Sequence, residues 1–136
     1  MKKDLELLLK GTYDGLSIGD TIDKFKNTIK DAFHNLSQGD TEIYSDEEQT
    51  EFTFINNKLH FIVLKSFEKG FLSPKFKKTI KRLNKKGIAW SFYGELTMHD
   101  QLTIRIEETS VDLIFSVNHK NELILGKAGL YKIPVQ

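Results

Sequence analysis

The chain has 136 residues, 39% of them apolar, a net charge of +1 and no cysteine. That length suits one domain over 1–136 with a core that needs no covalent staples, and the missing thiols exclude disulfides, thiolate metal sites and cysteine nucleophiles. No apolar run approaches the roughly 18 residues that span a bilayer, and Asp4 and Glu6 interrupt the N-terminal leucines, so the expectation is a cytoplasmic protein with no membrane segment or secretory signal.

Residues 2–9 read as a short helix with Leu5, Leu8 and Leu9 on one side, stopped by Gly11. The stretch "GLSIGDTIDKF" (15–25) follows. Its glycines, with Gly11, fall four apart, which fits neither the dinucleotide fingerprint nor the P-loop. It reads as a capped helix start. Asp20 is the N-cap with Asp23 in a capping-box position, or Ser17 and Asp20 form the box one turn earlier. The apolar stripe Ile22, Phe25, Ile29 and Phe33 carries that helix onward, and Gly39 closes the region.

The period then changes to two. In "EFTFINNKLHFIVL" the pair Asn56-Asn57 suits a two-residue hairpin turn, because Asn tolerates positive φ. That turn sets Phe54 opposite Leu59, Phe52 opposite Phe61 and Thr50 opposite Val63 on one face. Residues 74–86 return to helical spacing, with Phe76, Ile80 and Leu83 aligned, Ser73 as N-cap, Pro74 in the first position and Gly87 as the stop. Ile88, Trp90 and Phe92 alternate. "LTIRIE" and "VDLIFS" pair through residues 107–110, with Ile106 meeting Val111, Ile104 meeting Leu113 and Leu102 meeting Phe115. "NHKN" leads into "ELIL", and Ile114, Leu123 and Leu125 are expected on the outer sheet face. The pattern predicts an α+β fold: an antiparallel sheet of about five to six strands built from hairpins, with two to three helices mainly on one face.

Charge is segregated. Asp40, Glu42, Asp46, Glu47, Glu48 and Glu51 fall within 40–51 without a cation, whereas Lys75, Lys77, Lys78, Lys81, Arg82, Lys85 and Lys86 fall within 75–86 without an acid. The basic helix has an apolar stripe, which takes up Phe76, and no aromatic stacking residues interleaved among its lysines, so it reads as a solvated face rather than a nucleic-acid track; the rival reading is a nucleic-acid-associated regulator. The acidic turn between Tyr44 and the Phe52 strand costs self-repulsion unless a cation offsets it. It is a solubilising loop, a loop facing the chain's own lysines, or a surface that docks a basic partner.

Chemistry-bearing patterns are sparse. His34, His60, His99 and His119 form no H-x-H or H-x-x-x-H pair, and His99-Asp100 reads as a turn. There is no G-x-S-x-G or S-x-x-K nucleophile motif. No catalytic residue, cofactor or metal is expected, and oligomeric state has no sequence signal.

The order of parts resembles small bacterial proteins of the polymorphic-toxin immunity type. The resemblance rests on "LLLKGTYDGLSIGDTIDKF", "EFTFINNKLHFIVL", "LNKKGIAW" and "VDLIF…NELILG", and chiefly on Gly11, Gly15, Gly19, Thr21 and Gly87. The Gly-x-Thr helix entry is also similar to that of outer-membrane assembly lipoproteins, which need a lipidated cysteine that this chain lacks. The first resemblance implies a non-enzymatic protein that binds a cognate toxin domain and blocks its active site or substrate groove. If the toxin is a nuclease, Asp46, Glu47, Glu48 and Glu51 would imitate phosphates and Tyr44 or an exposed aromatic would supply the desolvated anchor.

Overall fold

The computed structural model describes residues 1–94 and 100–131. In chain order the elements are α1 (Lys3–Lys10), α2 (Ile22–Thr28), β1 (Phe33–Gln38), β2 (Thr41–Ser45), β3 (Glu51–Ile55), β4 (Lys58–Leu64), α3 (Phe76–Lys86), β5 (Trp90–Phe92), β6 (Gln101–Ile106), β7 (Asp112–Val117) and β8 (Leu123–Tyr131). One antiparallel sheet holds all eight strands in the order β1-β2-β3-β4-β8-β7-β6-β5. The fold is α+β as expected, but the sheet is wider than five or six strands. It consists of two four-stranded meanders joined where β4 pairs with β8, from Phe61↔Tyr131 to Leu64↔Ala128. The segment containing α3 carries the chain from the middle of the sheet to its far edge.

The helices cover one face. Phe25 of α2 is fully buried against Phe52, Phe54 and Tyr44, with ring centroids 4.8, 4.9 and 5.5 Å away. Phe76 of α3 meets Phe115 edge-on at 5.0 Å. Leu7 and Leu8 of α1 are buried in the same core, and the Leu8 carbonyl accepts from the Thr109 hydroxyl in the β6–β7 loop. The left-handed C-caps at Gly11 and Gly87 fall where expected, at φ 68° and 77°.

Several local expectations shift. Thr21, not Asp20, caps α2 by accepting from the Lys24 N–H. The helix ends at Thr28, whose hydroxyl back-bonds to the Lys24 carbonyl, and the chain turns into β1. The helical stripe therefore stops at buried Ile29, and Phe33 stands 54% exposed on an edge strand. Lys75 is the N-cap of α3; Ser73 instead accepts from the Lys75 N–H and binds buried Thr79 through its backbone. Leu125 is a core residue, its N–H bonded to the Pro74 carbonyl, while Ile114 keeps the outer face.

The Asn56-Asn57 turn forms with both residues at positive φ, and Phe54 faces Leu59. Beyond that pair the register slips. A bulge at His60 sets Thr53 opposite Phe61 and Phe52 opposite Ile62, so Glu51 rather than Thr50 faces Val63. Ile62 and Leu64 thereby enter the core, and Phe61 goes to the outer face beside Tyr131 at 5.5 Å. The β6–β7 register follows expectation, with Ile104↔Leu113 and Leu102↔Phe115. Arg105 and Asp112 brace the outer face there through paired bonds of 2.7 and 3.0 Å.

Two carboxylates organise the approach to α2. Burial works against the Glu6 charge, but the Thr12 hydroxyl and the N–H groups of Gly15 and Asp14 outweigh it and hold its pKa down. Asp20 is lowered first by the Ser17 N–H and then by Lys24, against a burial penalty. A lowered folded-state pKa stabilises above the unfolded value near pH 4 and loses that contribution as pH falls through the folded value. Chemical denaturation at a series of pH values should show stability falling on that acid limb. Glu6→Gln should be less stable at pH 7 and decline less steeply on acidification.

Candidate functional site

The acidic turn between β2 and β3 is built on one buried side chain. Asp46 is 2% exposed. Its Oδ2 accepts from the Tyr13 hydroxyl at 2.9 Å, and its Oδ1 accepts from the N–H groups of Glu48 and Thr50 at 2.9 and 3.0 Å. The Asp46 N–H donates to the Thr50 carbonyl, and the Asp46 carbonyl accepts from the Gln49 N–H, with Gln49 at φ 65°. This is a side-chain-locked turn of the kind that favours Asp in its first position. The Tyr13 hydroxyl also lies 3.2 Å from the Thr50 hydroxyl. Burial, the neighbouring acids and the bond to Asp46 push the Tyr13 pKa well up against a smaller opposing effect from Thr50, so its hydroxyl keeps its proton.

The residues singled out from sequence therefore separate. Glu47 and Glu48 are exposed at the tip of the turn. The Glu47 N–H donates to Asp31 Oδ2 at 3.1 Å, which brings a third exposed carboxylate, from the loop after α2, to the same corner. Glu51 is half-buried and paired with Lys65 at 2.7 Å. Tyr44 is 8% exposed, enclosed by Phe25, Phe54 and His34, so it belongs to the core and cannot be the surface anchor. Asp46 likewise cannot touch a partner as a phosphate mimic. Asp31 and Tyr13 escaped sequence reasoning because each is far along the chain from the turn. The structural role of Asp46 had a local signal, an Asp opening a turn.

The corner also has cationic neighbours. Lys3 bonds Asp14 at 3.3 Å and lies 5.4 Å from the Tyr13 ring centroid. Burial opposes its charge, but Asp14, Glu48 and Asp46 outweigh that and raise its pKa. Beside it opens a cleft of about 520 Å³ whose walls include Lys3, Glu48, Glu68 and Lys69. Its buried polar side chains, Tyr13, Thr50 and Asp4, are occupied by the fold. Tyr13 holds Asp46, and the Asp4 carboxylate accepts from the N–H groups of Leu5, Phe71 and Leu72 at 2.8–3.0 Å. Gly70 permits that close approach, since a Cβ there would sit 2.1 Å from Asp4 Oδ2. The cleft thus offers mixed surface charge over a floor of side chains already bonded within the fold.

The described histidines lie on separate elements. His34 Nε2 contacts Ser37 Oγ at 2.6 Å, His60 Nδ1 lies 3.0 Å from the Lys58 carbonyl, and His119 is exposed in the β7–β8 loop. His99, and with it the expected His99-Asp100 turn, falls outside the described residues. Among the described residues no three metal-ligating side chains cluster, and no helix is long and apolar enough to cross a membrane.

The chain matches no family model, no curated protein and no solved structure.

Proposed function

We propose that the chain is a non-enzymatic cytoplasmic binding protein of the immunity type, which engages a cognate toxin domain through the acidic corner. The observation that carries this reading is the buried Asp46 brace. It holds the turn so that Glu47 and Glu48 project outward beside Asp31. A rigid turn with like charges at its tip is costly in isolation, and a basic partner removes that cost. Pre-organisation also lowers the ordering entropy of association. A nuclease groove, lined with cations for phosphates, has the complementary potential. Asp46 acts here as a positioning residue, while Glu47, Glu48 and Asp31 make the contact.

Co-purification with a toxin domain encoded beside this gene tests the reading, followed by kinetics with Glu47→Lys/Glu48→Lys. Both side chains are exposed, so the fold should survive the reversal. Association should slow by about tenfold or more at low salt, and the wild-type rate should fall steeply as salt rises. A charge-reversed protein that captures the toxin as fast and as tightly as wild type would exclude the acidic corner as the docking surface.

A further inference from the structure

The other end of the sheet carries the opposite charge. From Lys69 to Gly94 the chain contains eight cations, Lys69, Lys75, Lys77, Lys78, Lys81, Arg82, Lys85 and Lys86, and no acid. Six of the seven lysines are on or next to α3, and all six are exposed. Among the described residues no α3 lysine pairs with a carboxylate; the ion pairs formed use Lys3, Lys24, Lys65 and Arg105.

Aromatic groups border this helix, although they follow it in sequence. Trp90 and Phe92 pair with Ile106 and Ile104, both core residues, so their side chains lie on the helix-bearing face of edge strand β5. The Trp90 indole N–H donates to Asn84 Oδ1 at 2.9 Å, which ties the strand to one flank of α3. Asn84 is three residues beyond Lys81 and seven beyond Lys77, so these side chains share that flank. Phe92 stands edge-on to Trp90 at 5.4 Å and is 62% exposed. A lysine-lined helix flank thus runs beside an aromatic ledge.

We infer that the α3 flank and the Trp90–Phe92 ledge bind single-stranded nucleic acid, with phosphates along Lys77 and Lys81 and a base on Phe92. Unpaired phosphates complement an acid-free run of lysines. The exposed Phe92 ring, backed by half-buried Trp90, offers a stacking surface that a duplex, whose base faces are hidden, does not use. An acidic protein surface would also satisfy the lysines, but it has neither the regular phosphate spacing to follow the helix flank nor flat base faces to stack on Phe92. Lysines act as point charges without the planar fork that reads guanine, so recognition here is of backbone and base face rather than of sequence. This surface is independent of the acidic corner, and its variants leave Glu47, Glu48 and Asp46 intact.

Trp90 is the only tryptophan, so its fluorescence reports on the ledge directly. The full chain should be titrated into labelled oligo(dT) of about 12 nucleotides, a length within the span of single-strand sites. The expected result is binding with Trp90 quenching and a linear fall of log affinity with log salt. Lys77→Glu/Lys81→Glu should bind at least tenfold more weakly, with a salt slope shallower by about 1.4. Phe92→Ala, which changes no charge, should bind about tenfold more weakly with the slope preserved. The proposal is overturned if binding at physiological salt produces no quenching. It is also overturned if a duplex binds as tightly and Phe92→Ala is neutral, or if polyglutamate competes as well as unlabelled oligo(dT), which would mark an acidic-protein site.

Discussion

Phe25→Ala should lower the unfolding free energy by about 3–5 kcal/mol, the range for truncating a fully buried phenylalanine. Phe25 is 0% exposed and touches three aromatic rings on two strands. It is also the buried anchor of α2, a seven-residue helix too short to persist alone in water. The substitution should therefore do more than open a cavity. Amide exchange should accelerate throughout α2, and Asp31, just beyond it, should lose its fixed relation to Glu47. Denaturant melts with exchange measurements check both effects. A loss below about 1 kcal/mol, with α2 amides still protected, would mean that α2 is held by other contacts.

Asp46→Ala should cost about 2–4 kcal/mol. The deletion removes charge-assisted bonds and leaves the Tyr13 hydroxyl and the Thr50 N–H buried without that partner. Asp46→Asn keeps an acceptor for the turn but loses the charge, and should fall between alanine and wild type. A double-mutant cycle with Tyr13→Phe separates the hydroxyl bond from the turn, and a coupling of about 1 kcal/mol or more is expected. The same variant tests the division of roles within the corner. Glu47 and Glu48 remain in Asp46→Ala, yet the turn that aims them is loosened, so partner binding should weaken through slower docking. A variant as stable as wild type would show that the buried carboxylate braces nothing.

The parts of the fold legible in the sequence are those whose cause is local. The Gly11 and Gly87 stops, the Asn56-Asn57 turn and the 107–110 hairpin each follow from the conformational preference of a few adjacent residues. The misplaced parts depended on something distant. Leu59 to Leu64 is apolar enough that either register of β4 buries a comparable set. The choice of Ile62 and Leu64 over Phe61 and Val63 was settled by the His60 bulge and by the inward Ala128 and Leu130 of β8. The helical spacing ran on through Ile29 to Phe33, but pairing with β2 drew residues 33–38 into an edge strand. The two meanders meet through β4 and β8, whose nearest paired residues, Leu64 and Ala128, are 64 apart in sequence, and that pairing widened the sheet to eight strands.

The candidate site divides along the same line. By itself the sequence determined that acids cluster at 40–51, that cations cluster at 75–86, and that the turn and the helix bearing them form, because charge and backbone preference belong to residues and their near neighbours. Only the tertiary structure decided which of those groups face water. It buried Asp46 under Tyr13, enclosed Tyr44 behind Phe25, brought Asp31 to Glu47, and tied Trp90, with Phe92 edge-on to it, to Asn84 of the lysine-rich helix. Periodicity marked the apolar faces, but whether a turn carboxylate or a tyrosine is covered depends on what packs across it from elsewhere in the chain.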